Sequence, residues 1–273
     1  MNRFSIENTH QLEIYSKEIN QEFLINVGLP PNYSEEGDKY PVVYVTDAGP
    51  NFTGLMGSLP LMQIANDLPS LILVGIDYKS LHSNHSMSLR NRDLTPTNDE
   101  SWMALQRNMY KIFGDDLPEV EAGGAENFLD FLNDDIKALV NSKFHIDTQD
   151  QTYCGFSLGG LFGLYTLFTS SDSFDRYVIG SPSIWWNDKY ILKLEENYAK
   201  TNKNLSAKVF MSIGALEEED DDGFNMVTNF NNLSKTLLNR KYAGFDLKTS
   251  ILEDETHCSA VLATLNRGLR NVF

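Results

Sequence analysis

Ser157 stands between Gly155 and Gly159 in the stretch CGFSLGGLF, residues 154–162. A serine hydroxyl is a poor nucleophile until a neighbouring base takes its proton and fixed donors stabilise the oxyanion that its attack creates. The run before it, QTYCGF (151–156), reads as a strand, and LGGLFGLYTLF (158–168) reads as a helix whose small residues pack closely on a sheet. A G-x-S-x-G pentapeptide at a strand-to-helix turn is a nucleophile elbow. Its glycines leave room for a sharp turn that exposes the serine at the helix N-terminus, where the Leu158 amide and the helix dipole meet developing negative charge.

The partners of such a serine follow it in the order acid, then histidine. His10, His82, His85 and His145 all precede Ser157, so His257 is the only histidine that can complete the series. It follows the strand pattern FDLKTSIL (245–252) in the loop EDETHCSAVLATL. The acid is expected in IGALEEEDDDG (213–223), where Glu217 is the first carboxylate past a strand end. Glu218, Glu219 and the aspartates of the run remain alternatives at this point, although clustered carboxylates cannot all be buried. The same run has the spacing of a calcium loop at Glu218, Asp220, Asp222 and Gly223, but the twelfth position of that frame is Asn229, not a bidentate Glu. No metal site is expected there, and His82 and His85 read as loop residues. Cys154 reads as a small buried strand residue and Cys258 as a packing residue; two cysteines are too few for a disulfide framework.

These groups need a scaffold to bring them together. The chain has 273 residues, 41% of them hydrophobic, which is enough for a sizeable core and fits one domain over residues 1–273. Short β-branched or aromatic runs at 21–29, 40–47, 71–77, 151–156, 176–180, 207–214 and 245–252 alternate with helical patterns at 125–142, 158–168 and 225–240. In the first of these helices Phe128, Leu132, Ile136 and Leu139 form one stripe. The alternation predicts an α/β fold with a mostly parallel, doubly wound sheet and helices on both faces. The segment 78–101 has no clear period and reads as a surface loop near the site. A net charge of -16 argues against a nucleic-acid partner, which would require a positive footprint. Neither a membrane span nor a secretory signal is written in this chain, so a cytoplasmic location is expected.

Seven blocks, LPPNYSEEGDKYPVVYVTDAG, RNRDLTP, GGAENFLDFLNDDI, CGFSLGGLFGLYTLF, GSPSIWWND, IGALEEE and DETHCSAVLATLNRGL, resemble in order those of the bacterial putative-esterase family of α/β-hydrolases. The likeness covers nearly the whole chain and is nearest to the siderophore (trilactone) esterase branch, through the Trp185–Trp186 pair and the ETH block. It implies the α/β-hydrolase fold, with Ser157 as nucleophile, His257 as base and Glu217 as acid. It also implies that the DAG loop supplies a second oxyanion amide, from Ala48 or Gly49. Here the chain departs from the usual Asp-Gly of that loop, and Pro50 has no amide to give.

The reaction expected is acyl transfer through an acyl-enzyme to water, with a small-molecule ester as partner and no cofactor. An acyltransferase, or a non-catalytic binding protein on the same fold, is the alternative. Trp185, Trp186, Phe52 and Phe156 are candidates for contact with an aryl ester, and Arg90 or Arg92 for pairing with a carboxylate or catecholate.

Overall fold

The computed structural model describes residues 6–79, 83–112, 121–218 and 223–273. His82, Glu219, Asp220 and Asp222 lie outside the described residues.

The chain order is β1 (Thr9–Ser16), β2 (Gln21–Gly28), β3 (Tyr40–Val45), α1 (Ala48–Ile64), β4 (Ile72–Tyr78), α2 (Ser83–Asp93), α3 (Glu100–Ile112), α4 (Ala125–Phe131), α5 (Lys137–Asn141) and β5 (Ile146–Phe156). It continues through α6 (Leu158–Thr169), β6 (Arg176–Gly180), α7 (Trp186–Thr201), β7 (Asn204–Gly214), α8 (Met226–Arg240), β8 (Ala243–Leu252) and α9 (Ala260–Val272). The strands form one sheet in the order β1-β2-β4-β3-β5-β6-β7-β8. β1 and β2 are antiparallel to their neighbours, and from β4 to β8 every pairing is parallel. This is the mixed α/β sheet of the α/β-hydrolase type.

Two-residue alternation explains why the central strands are apolar throughout: each face of the sheet carries its own layer of helices. Tyr44, Tyr153, Tyr177, Val209 and Met211 face one core with residues of α4, α6 and α8. Val43, Val45, Cys154, Val178 and Phe210 face the other, with α1 and α9. The turns that carry the candidate site residues lie beyond the C-terminal ends of parallel strands: Asp47 after β3, Ser157 after β5, Glu217 after β7 and His257 after β8.

Three local readings change. β1 escapes the sequence because its alternation is weak, with most of its side chains at least partly exposed. Residues 83–93 of the expected loop form α2, whose apolar content is too low to give a helical period. The helix expected over 125–142 contains a π-helical turn at Leu132–Ile136. One extra residue in that turn rotates the stripe, so Val140 rather than Leu139 completes the buried row.

The approach of α6 to the sheet is set at Gly160, where a Cβ would fall 2.6 Å from the Gly180 carbonyl oxygen. Backbone cannot rotate away as a side chain can. Gly160→Ala is therefore expected to push α6 off β6 and cost about 1–3 kcal/mol. Chemical denaturation measures this; an unchanged midpoint would show that the helix has slack.

Candidate active site

Ser157 adopts φ 60° and ψ −117°, outside the usual regions for a residue with a side chain. Its backbone is held by its neighbours. The Ser157 amide donates to the Gly180 carbonyl at 2.9 Å, and its own carbonyl accepts from the amides of Leu161 (2.9 Å) and Ser183 (3.2 Å). The hydroxyl points into the cleft, with Ser183 Oγ at 3.5 Å. Leu158 opens α6, so its amide is among those that the helix leaves without an internal partner.

Glu217 ends a single 3₁₀ turn, Ala215–Glu217, directly after β7, and its carboxylate is 2% exposed. Burying a carboxylate requires donors, and it has three. Oε1 accepts from the Gly214 amide at 2.8 Å and the Ser181 hydroxyl at 2.6 Å, and Oε2 lies 2.6 Å from His257 Nδ1. With Nδ1–H donating to the carboxylate, Nε2 is left as the basic nitrogen. The imidazole is 42% exposed toward the cleft, and the Phe156 ring lies 5.0 Å from it. Glu218 is engaged elsewhere, accepting from the Thr228 amide at 3.0 Å and from the Thr228 hydroxyl in the first turn of α8. Among the described carboxylates of the acidic run, Glu217 is thus the one joined to the histidine.

Two lobes meet at Ser157, His257, Arg90 and Met87, with volumes of about 460 and 510 Å³. The first is walled by aromatic rings. Trp185 stacks on Phe224 at 4.4 Å, and Trp102 lies 5.0 Å from Trp185. The second contains Asp47, Gly49, Asp77 and Tyr78. Arg90 bridges them, and its guanidinium is already bound to Asp47 by two hydrogen bonds of 2.7 and 2.9 Å. That pair ties α2 to the loop after β3, where Asp47 has a left-handed backbone at φ 55°.

Several expected contacts are not in the cleft. Trp186 is fully buried, and its indole N–H donates to the Thr97 carbonyl at 2.9 Å, anchoring the chain that leads into α3. Phe52 is buried inside α1 against Gly75 of β4. Arg92 pairs with Asp93 at 2.6 Å and borders a different cavity, beside Gly123 and Gly124. Of the DAG loop, Gly49 opens on the cleft while Ala48 is buried with its methyl toward Gly75. Cys258 is exposed at the cleft wall instead of packed, because the loop after β8 turns outward there; Cys154 is buried as expected.

Residues that the sequence did not single out are Trp102, Phe224, Ser181 and Ser183. The serines lie in the GSPS segment between β6 and the tryptophan pair, so their place beside the motif was the only signal.

The family model described as Putative esterase matches residues 16–243. Ferri-bacillibactin esterase BesA of Bacillus subtilis is 29% identical over an alignment covering 98% of this chain and 91% of that one. The crystal structure of a BES protein from Bacillus cereus is 32% identical, covers 100% of this chain and 97% of its own, and superposes with a TM-score of 0.82. The siderophore hydrolase EstA of Aspergillus nidulans is 25% identical, with coverage of 98% and 97% and a TM-score of 0.78. No helix among the described residues is long and apolar enough to cross a membrane.

Desolvation pushes the Asp77 carboxyl above its usual range, hydrogen bonds from the Tyr78 and Gly49 amides offset part of this, and the charge of Asp47 adds to it. A raised folded pKa means that the folded protein binds this proton more readily than the unfolded chain. The cost is absent below about pH 4 and is present in full above the folded pKa. Asp77→Asn is therefore expected to raise Tm at about pH 7.5, with the gain shrinking as pH falls to about 4. Thermal scans across that window check it, and a pH-independent difference contradicts it.

Proposed function

Since the chain belongs to the Putative esterase family, we propose that it is a serine carboxylic-ester hydrolase whose triad is Ser157, His257 and Glu217. The observation that carries this reading is the 2.6 Å contact between a buried carboxylate and the ring nitrogen of a histidine that faces the same cleft as a strained serine. His257 Nε2 takes the Ser157 proton as Oγ attacks the ester carbonyl. The Leu158 amide and the Gly49 amide, which exchanges the Asp77 carboxyl for the substrate oxygen, stabilise the tetrahedral oxyanion, the alcohol leaves with the proton from His257, and water activated by the same nitrogen releases the acid. Glu217 fixes the tautomer and stabilises the imidazolium. The 3.5 Å contact of Ser157 with Ser183 gives way to the histidine when substrate enters, since such bonds tighten in the bound complex.

The substrate class is a small oligoester with aryl groups, of the siderophore kind. The relatives named as a ferri-bacillibactin esterase and a siderophore hydrolase support this, as does the lobe formed by Trp102, Trp185 and Phe224. Two lobes meeting at one serine suit an ester with substantial groups on both its acid and alcohol sides.

Ser157→Ala is expected to reduce turnover of p-nitrophenyl esters and a trilactone siderophore by on the order of 10⁶, and to abolish fluorophosphonate labelling. Glu217→Gln should cost roughly 10³ to 10⁴ in kcat with little change in KM, whereas Glu218→Gln should cost less than about threefold. Retention of more than about a hundredth of the activity by Ser157→Ala would refute the assignment. Trp185→Ala should raise KM for aryl esters far more than for acetate esters, because a short acyl group never uses that wall. Equal effects on both would mark Trp185 as structural.

A further inference from the structure

Tyr44, Tyr153 and Tyr177 stand side by side in register on adjacent strands, all fully buried on one face of the sheet. The phenols of Tyr44 and Tyr177 find no partner among the described residues. Tyr153 differs from both. Its hydroxyl donates to the Gly159 carbonyl at 2.7 Å and lies 3.1 Å from Thr46 Oγ1. A phenol has one proton, and the carbonyl can only accept, so the Thr46 hydroxyl must be the donor in the second bond. The direction of the chain is fixed: Thr46 donates to Tyr153, which donates to Gly159.

The ends of this chain are the two turns that flank the cleft. Thr46 immediately precedes Asp47, the left-handed residue at the N-cap of α1, whose first turn holds Gly49, and its own carbonyl accepts from Asn51 Nδ2 at 2.9 Å. Gly159 follows Leu158 in the first turn of α6. The two glycines of the elbow, and Gly163 further along α6, leave space for these same groups. A Cβ at Gly155 would come 2.5 Å from the Tyr153 hydroxyl, one at Gly163 would come 2.8 Å from its ring, and one at Gly159 would come 2.6 Å from Thr46 Oγ1. Burial drives the phenol pKa far up, so the hydroxyl stays a neutral donor at any working pH.

We propose that Tyr153 is a positioning residue that, with Thr46, locks the loop after β3 against the first turn of α6 and so sets the spacing between the two oxyanion amides. The inference rests on the esterase reading for its kinetic consequence and on the geometry alone for its structural one. The motif glycines then serve twice, since besides forming the sharp turn they make room for a bridge that holds both halves of the oxyanion hole. The ring of Tyr153 already packs on Phe162 and Tyr177, so Tyr153→Phe keeps the core and deletes only the bridge.

For Tyr153→Phe, kcat on p-nitrophenyl butyrate should fall about ten- to a hundredfold, less than the loss of an oxyanion donor, with KM within about twofold. Affinity for an arylboronic acid, which forms the tetrahedral adduct, should weaken by the same factor as kcat. Thr46→Val should match Tyr153→Phe, Thr46→Ser should stay within about threefold of the parent, and the double variant should be no worse than the worse single one. Wild-type kcat in Tyr153→Phe, equal losses in substrate and boronate binding, or additive single losses would each overturn the bridge. Should either variant fail to fold, the other and Thr46→Ser carry the same comparison. If the parent protein does not react with fluorophosphonate, the esterase reading falls, and hydrogen exchange then judges the bridge by itself. Faster exchange in both 46–51 and 157–161 on removal of the hydroxyl supports it; unchanged exchange in either segment overturns it.

Discussion

The unusual backbone of Ser157 costs of order 1–3 kcal/mol wherever it occurs and persists only if its surroundings leave no alternative. Here the surroundings are one short piece of chain after β6. Gly180 accepts from the Ser157 amide, Ser183 donates to the Ser157 carbonyl, and between them Ser181 donates to Glu217. Ser157 and Glu217 are therefore referenced to the same short segment, 180–183, and His257 is referenced to Glu217. The parallel sheet matters because it brings the ends of β5, β6 and β7 side by side, so that these bonds span neighbouring strands only.

The polar inventory around Glu217 explains why, of the two described carboxylates of the acidic run, it is the one buried beside His257. A carboxylate shielded from water survives only with its lone pairs engaged. Glu217 receives a backbone amide, a hydroxyl and an imidazole, whereas Glu218 is spent on the start of α8. Glu217 and Glu218, adjacent and alike in sequence, are thus divided by where the strand ends and the next helix begins.

Much of this was legible beforehand because the signals were local. The elbow is a pentapeptide, the single eligible histidine follows from chain order, and the central strands are written as apolar runs. The tryptophan pair shows where such reading stops: Trp185 reaches the cleft and Trp186 the core, and adjacent residues of the same type differ only in which way the chain turns between them. Arg90 and Arg92 separate for a similar reason, since α2 presents one to Asp47 and the other to Asp93, and the helix itself was hidden by its polarity. Trp102 depends on a contact with residues far along the chain, which no window of sequence contains.

The polarity of α2 carries a consequence for how the molecule comes apart. Leu89 is its only buried apolar side chain among the described residues; polar bonds fasten the helix, among them the Arg90–Asp47 pair, Asn91 on Gln106 and the Gly124 amide on the Arg92 carbonyl. An element held by directional bonds with little apolar area opens at a free energy well below that of the whole fold. The cleft wall can therefore be lost while the sheet is intact. Inactivation by mild urea would precede the loss of ellipticity, and would reverse on dilution without passing through the unfolded chain.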